Sequence, residues 1–464
     1  NGFIRHRASI SKDIGRITVG FTDDQELNTF SSQQLLSPRS YAFYDYQFYV
    51  SAGDTSLQQV KFFYRERYDW RPDSLSSLRT AAKAISSGVD YKVIGLKRFQ
   101  LSSLIGWRRL EILDSTILDQ DPENTAIGRL DVQYKSKKGD ITLNTFYEIG
   151  AGLEQKRDFV YIKVNDGQGV YTWIDYDGDG VEDLNEFEVA QFIDQASYIR
   201  VFTPSSEYSK TYNNEFNAGF FWRPERRWDN EVGILKGLSL FSDQARLRVN
   251  KKVGSSDWAS LLNPFDAALN SQDLISTNSS IRNSLFFNRT SAVFSGEYVI
   301  NQNQTKILLA TGYDAKSTES QELNLRWNFL RKFTSEFKGA LGRKVSAVDY
   351  TQNRNYTLKF WNIQTEFAFQ PSTNLRYGFI YRRGDKENTQ GGEKLQLQEF
   401  SGNAKWNQTQ KGSLQGEVKY VRMNFTGNAN SAVGFDMLEA LQPGNNIVWN
   451  ISYQRFVSKN LQLT

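Results

Sequence analysis

The sequence predicts an all-β fold, a transmembrane antiparallel β-barrel of roughly 18–20 strands. Three observations carry the prediction. Apolar and polar residues alternate with a period of two along most of the 464 residues, as strands with one apolar face do. The alternating runs reach about 12–15 residues, whereas strands of soluble sheets usually have about 5–6. Tyr, Phe and Trp make up 14% of the chain and gather toward the ends of the runs, where a barrel carries its interfacial rings. The face opposite the apolar one is rich in Gln, Asn, Glu, Lys and Arg, which suits a hydrated lumen. A chain of soluble β-sandwiches, burying the apolar face between two sheets, is the competing fold.

Residues 1–150 hold the first expected strands and loops. Tyr44, Tyr46, Phe48 and Val50 alternate with Asp45, Gln47 and Ser51, and a Gly53-Asp54 turn leads to Val60, Phe62 and Tyr64. Residues 71–88 are rich in Ser and Ala and predict a short helix or loop. Leu130, Val132 and Tyr134, the turn Ser136-Lys137-Lys138-Gly139, and Ile141, Leu143, Thr145, Tyr147 and Ile149 read as one hairpin. Residues 151–207 form the largest interruption and are expected to be an extracellular insertion.

The remaining strands occupy 208–464, with an irregular loop expected over 255–280. Leu323, Leu325, Trp327 and Phe329 make one apolar stripe; Trp361, Ile363, Phe367 and Phe369 make another. Further stripes are Leu375, Tyr377, Phe379 and Tyr381, then Ile447, Trp449, Ile451 and Tyr453. Short turns are expected near Arg331-Lys332, Pro371-Ser372, Thr409-Gln410-Lys411 and Ser458-Lys459-Asn460. Longer connections are expected near 345–355, 384–394 and 426–446. Such long–short alternation matches external loops and periplasmic turns of a barrel.

Composition removes several chemistries. With no Cys, disulfides, thiolate metal sites and cysteine nucleophiles are excluded. The single histidine, His6, argues against a His-based metal site or a Ser-His-Asp triad. Lys and Arg number 56 against 52 Asp and Glu, a net charge of +4 with no concentrated basic stripe, so no nucleic-acid partner is expected. Carboxylates such as Glu366 and Glu417 on the polar faces read as hydrated lumen residues, and the chain reads as non-enzymatic.

One motif carries chemistry. Residues 175–186 read Asp-Tyr-Asp-Gly-Asp-Gly-Val-Glu-Asp-Leu-Asn-Glu. Asp175, Asp177 and Asp179 stand at loop positions 1, 3 and 5, Gly180 at the sharp turn of position 6, and Val181 at 7, where a backbone carbonyl serves. Asp183 stands at 9 and Glu186 at 12, which completes the twelve-residue EF-hand-like calcium loop. Ca²⁺ takes 6–8 hard oxygen ligands, and this layout supplies them. The entering Gly169–Ile174 run reads as a strand, whereas Phe187–Ile193 reads as one or two helical turns. A lone loop between unlike elements fixes structure rather than sensing calcium.

Two segments resemble a known group. One runs Gly167-Gln168-Gly169-Val170-Tyr171-Thr172-Trp173-Ile174-Asp175, passes the acidic loop to Glu186-Phe187-Glu188, and continues from Phe192 to Val201. The other is Met437-Leu438-Glu439-Ala440-Leu441-Gln442-Pro443-Gly444-Asn445-Asn446, with Trp449-Asn450 and Lys459-Asn460-Leu461-Gln462-Leu463. Both resemble the large, mostly uncharacterised outer-membrane β-barrel proteins of Bacteroidota. The resemblance implies a bacterial outer-membrane location, a signal peptide before position 1, and a further strand after Thr464. It carries no enzymatic activity. The expected role is a scaffold or accessory subunit of a multi-protein outer-membrane assembly for transport, secretion or barrel insertion. Membrane lipid and other outer-membrane proteins or surface lipoproteins are the expected partners. A diffusive channel or transporter for a polar solute is the alternative.

Overall fold

The structure is a computed structural model that describes every residue except 1, 33–34, 55–56, 74–76, 119–121, 191, 255–262, 265–273, 310–311, 350–353, 409–411, 459–460 and 464. Among the described residues, nineteen strands have 13 residues or more, and five others have two or three. The long strands match the expected number, and among the described residues no helix is long and apolar enough to cross a membrane. By its contacts the chain divides into two compact units.

The first unit comprises residues 1–153, 210–220 and 249–268. It is an up-and-down meander of Gly2–Ile14, Ile17–Thr29, Tyr41–Asp54, Gln58–Pro72, Leu78–Val93, Phe99–Ile112 and Glu123–Lys135, then the strand that starts at Ile141. Each strand pairs antiparallel with the next. The expected 130–149 hairpin forms, with Leu143 opposite Tyr134 and Tyr147 opposite Leu130. One face of this meander presents Val19, Phe48, Val50, Phe62, Ile105 and Trp107 as exposed apolar side chains. The other carries ion pairs: Arg7 donates from Nε to Asp24 at 3.0 Å, and Arg65 donates from Nε to Asp45 at 2.8 Å.

Residues 71–88 correct the expectation of a helix or loop. Leu78–Val93 is a strand of 16 residues. Its alternation is hidden because the buried positions are small: Ala82 and Ala84 pack beneath Leu110, with Ile112 and Leu118 against them. Strand patterns read from bulky apolar residues miss such a face.

The second unit comprises residues 154–209, 221–248 and 269–464. Its main body is a second meander, Leu274–Phe287, Phe294–Leu309, Gly312–Phe329, Phe333–Val348, Tyr356–Ser372, Leu375–Asn388, Lys394–Gln408, Gly412–Thr426, Gly444–Ser458 and Leu461–Leu463. Neighbours in this series are antiparallel throughout. The strand from Leu274 shortens the irregular loop expected over 255–280, and most of the rest of that loop lies outside the described residues. The strand Tyr356–Ser372 continues through the expected Pro371-Ser372 turn, because the pairing resumes at Ser372 opposite Leu375. The 384–394 loop is likewise shorter than expected, since strand runs to Asn388.

Aromatic rings line one end of the apolar face of this meander. Phe241 packs on Phe287, Phe287 on Phe294, Trp327 on Phe329, Phe329 on Phe333 and Phe333 on Phe369, at centroid distances of 4.8–6.3 Å. They lie at the short-turn end, as an interfacial belt requires. On the opposite, polar face, Arg326 stands across from Glu336 and Glu336 across from Glu366.

Candidate metal centre

The acidic loop lies in the second unit. The strand Tyr171–Trp173 enters it, and a one-turn 3₁₀ helix, Leu184–Glu186, leads to the strand Phe187–Val189. The exit corrects the expected helical turns: Phe187–Val189 pairs back on Tyr171–Trp173, with Phe187 opposite Trp173. The reason is packing. Phe187 is buried, stacks on Tyr161 at 4.0 Å between centroids, and meets Tyr198 edge-on at 4.9 Å. The two ends of the loop are thereby clamped, and Ile174 N–H donates to the Glu186 carbonyl at 2.8 Å.

The turn itself is built from backbone donors and two glycines. Gly178 N–H donates to Asp175 Oδ1 at 2.6 Å and Gly180 N–H to Asp175 Oδ2 at 3.0 Å. Val181 N–H donates to Asp179 Oδ1 at 2.7 Å. Gly178 and Gly180 adopt φ of 78° and 74°, the left-handed region that a Cβ disfavours.

Carboxylate oxygens of Asp175, Asp177 and Glu186 lie within 4.8 Å of one another, and so do those of Asp177, Asp179 and Asp183. The structure therefore brings together all five predicted carboxylates around Asp177. Val181 follows Gly180, and its carbonyl accepts from Asp183 N–H at 3.1 Å, leaving its second lone pair for a further bond.

The donor set can be tested against a cation. Among the described residues no Lys or Arg forms an ion pair with any of the five carboxylates. Glu186 is only 1% exposed, yet among the described residues its carboxylate accepts only from N–H groups: Trp173 Nε1 at 2.7 Å, Tyr176 N at 3.0 Å and Asp183 N at 3.4 Å. An ionised carboxylate buried without a positive partner is costly. The Asp179 N–H pulls the Asp177 carboxyl down, but desolvation and the carboxylates of Asp179, Glu186 and Asp175 outweigh it and hold it above its ordinary value. An all-oxygen, multiply anionic site of this kind fits a hard cation of the Ca²⁺ type.

Some contacts escape sequence reasoning. Trp173 lies two residues before the loop, and nothing local shows its indole aimed at position 12. Glu188 accepts from Arg354, a residue 166 positions away, and also from the Tyr176 hydroxyl at 3.4 Å. Burial, then the Glu188 carboxylate, pushes the Tyr176 hydroxyl well above its usual range, so it remains a neutral donor. Glu366 and Glu417 are held in ion pairs with Arg376 and Lys419, at 2.9 and 3.3 Å.

A second feature sits at the long-loop end of the same unit. Within the connection from Thr426 to Gly444, the helix Ala432–Leu438 turns its Val433, Met437 and Leu438 onto the sheet. There the polar face becomes apolar, through Leu358, Leu395, Leu397, Val421 and Met423. Charges fix the edges of this cover. Lys344 donates to Asp436 at 2.5 Å, and Lys386 and Arg382 donate to Glu439 at 2.8 and 3.2 Å.

No protein-family profile matches the chain, and no curated protein matches it. Among solved structures, the copper transporter OprC is similar at 11% identity, over 99% of this chain and 70% of its own, with a TM-score of 0.40. The apoprotein form of the FrpB iron transporter from Neisseria meningitidis, F5-1 variant, is similar at 9% identity over 98% and 72%, with a TM-score of 0.37. OmpT, an outer membrane protein of Vibrio cholerae in its trimer form, is similar at 9% identity over 86% and 99%, with a TM-score of 0.29. At these identities and scores, what those proteins carry stays a property of those proteins.

Proposed function

We propose that the chain is an integral outer-membrane β-barrel that serves as a non-enzymatic scaffold or accessory subunit of a larger outer-membrane assembly. The observation that carries this reading is an apolar face that the described residues leave uncovered. Trp449 is 68% exposed and Ile451 66%, and Leu341, Phe367, Phe379 and Val418 are exposed on neighbouring strands. Soluble proteins rarely leave contiguous apolar patches of more than a few hundred Å² in water. The outward run from Phe369 to Trp361 covers about 26 Å of strand, or about 20 Å of height at barrel tilt, close to the roughly 25 Å apolar band of an outer-membrane barrel. Lipid is the environment that suits it.

The cover formed by residues 427–443 favours a scaffold over an open pore, because it packs on the face that would line the lumen. The Ca²⁺-ordered insertion then supplies an external platform for other outer-membrane proteins or surface lipoproteins. Reconstitution tests the whole reading. The protein should float with neutral phosphatidylcholine vesicles and give no stable conductance in a planar bilayer. Failure to float refutes the membrane assignment. Stable ohmic conductance refutes the scaffold and favours a diffusive channel for a polar solute. Co-purification in mild detergent identifies the partner class.

A further inference from the structure

One connection at the short-turn end of the second unit is unlike its neighbours. The connections 288–293, 330–332 and 373–374 have six, three and two residues. The connection from Trp222 to Phe241 has eighteen, residues 223–240, and holds two short helices, Glu225–Trp228 and Ile234–Ser239. Its far end joins the aromatic belt. The Leu240 carbonyl accepts from Asn288 N–H at 2.6 Å, and Phe241 packs on Phe287 at 5.2 Å. Every residue from 229 to 238 is exposed.

Water is a poor environment for this run. Val232 is 86% exposed and Ile234 84%, and Leu235, Leu238 and Leu240 are exposed as well. Within Ile234–Ser239, the side chains of Ile234, Leu235 and Leu238 fall on one stripe, and Lys236 falls on the opposite side. Lys236 is the only ionisable residue between 232 and 240, and it is tied back to Asp229 at 2.7 Å. Nearer the strand, Arg223 lies over the Phe221 ring and Arg227 over Trp228, each at 6.0 Å. The tip is therefore apolar with its one charge neutralised, and offers little for a charged partner to recognise. Its continuity with the aromatic belt favours lipid instead. Amphipathic helices at a membrane boundary bury their apolar side about 5–10 Å deep.

We propose that residues 232–240 form an interfacial anchor, with Val232, Ile234, Leu235 and Leu238 inserted among the acyl chains of the periplasmic leaflet. The inference rests on the membrane reading above. It adds a lipid contact made outside the strands, by a connection whose counterparts at the same end are plain turns.

The chain has no Cys, so one introduced thiol is the sole attachment point for a fluorophore. Ile234→Cys and Thr373→Cys, the second in an ordinary short turn, are labelled singly in the whole chain and reconstituted in phosphatidylcholine vesicles. Quenching by acyl-brominated phosphatidylcholine reports lipid contact. Quenching by iodide, admitted to both sides, reports water. The bromolipid should quench the Ile234→Cys label about threefold or more as strongly as the Thr373→Cys label, and iodide should reverse the order. Val232→Cys takes the place of Ile234→Cys should that variant not float as wild type does. Equal iodide quenching of the two labels in a chain that floats overturns the anchor and leaves the membrane reading standing. Protection of the Ile234→Cys label from both quenchers overturns lipid as the occupant and assigns the tip to a protein, a second copy of this chain if the detergent-solubilised protein sediments as a dimer. A wild-type chain that does not float overturns both readings.

Discussion

Met437 tests whether the cover over residues 427–443 is held by packing or by charge. Its side chain is 0% exposed and lies among Leu395, Leu397 and Met423. Replacing a fully buried Met with Ala costs about 2–5 kcal/mol, the lost transfer energy plus that of the cavity. The ion pairs at the edge are partly solvated, with Glu439 31% and Lys386 20% exposed, so neutralising one is worth about 1–2 kcal/mol. Packing therefore wins. Taking about 3 kcal/mol for Met437→Ala, the undocked population rises about 150-fold, against about tenfold for Glu439→Gln. Limited chymotrypsin cleavage at Phe435 reads that population when docking is faster than cutting. Met437→Ala should be cut far faster than Glu439→Gln, and Glu439→Gln faster than wild type. Cleavage of Met437→Ala at the wild-type rate would refute the packing account, and a larger effect from Glu439→Gln would reverse the ranking.

Glu186→Gln should weaken calcium binding at least tenfold in titration calorimetry, since it removes the closing bidentate carboxylate while keeping its shape. Gly180→Ala forces a Cβ into φ of 74° and should lower calcium affinity by about 5- to 30-fold, from a left-handed cost of about 1–2 kcal/mol. Chelation of calcium from wild type should speed proteolysis between Lys163 and Tyr198, and an unchanged cutting pattern would count against a bound metal. Desolvation raises the Glu439 carboxyl, but Lys386 and Arg382 outweigh it and hold it below its ordinary 4.5. Its stabilising effect is thus complete above that value and is lost as pH falls through the lower folded value. Cleavage at Phe435 should stay flat from neutral pH to about 5 and rise only in stronger acid, and Glu439→Gln should abolish that rise.

What the sequence discloses follows from the range of the interactions. Trp361, Ile363, Phe367 and Phe369 announce their strand because alternation is a property of adjacent residues. The acidic loop is legible for the same reason: all six candidate ligand positions fall within twelve residues. Ala82 and Ala84 conceal a strand because their burial depends on Leu110, in the next strand. The helix Ala432–Leu438 is hidden differently. The connection reads as a polar loop, and its apolar residues find a partner only where Leu358, Leu395 and Val421 interrupt the polar faces of three separate strands. No local pattern predicts that meeting.

Arg354 and Tyr356 tie these two features to one short segment of the chain. Arg354 pairs with Glu188, two residues beyond Glu186 at the end of the acidic loop, and both partners are well shielded from water. Tyr356 donates its hydroxyl to Asp436 on the covering helix at 3.2 Å. The two anchors are separated by one residue, Asn355, whose own side chain accepts from Val348 N–H at 2.6 Å. The Glu188–Arg354 pair is shielded rather than surface-exposed, with Arg354 14% and Glu188 22% exposed.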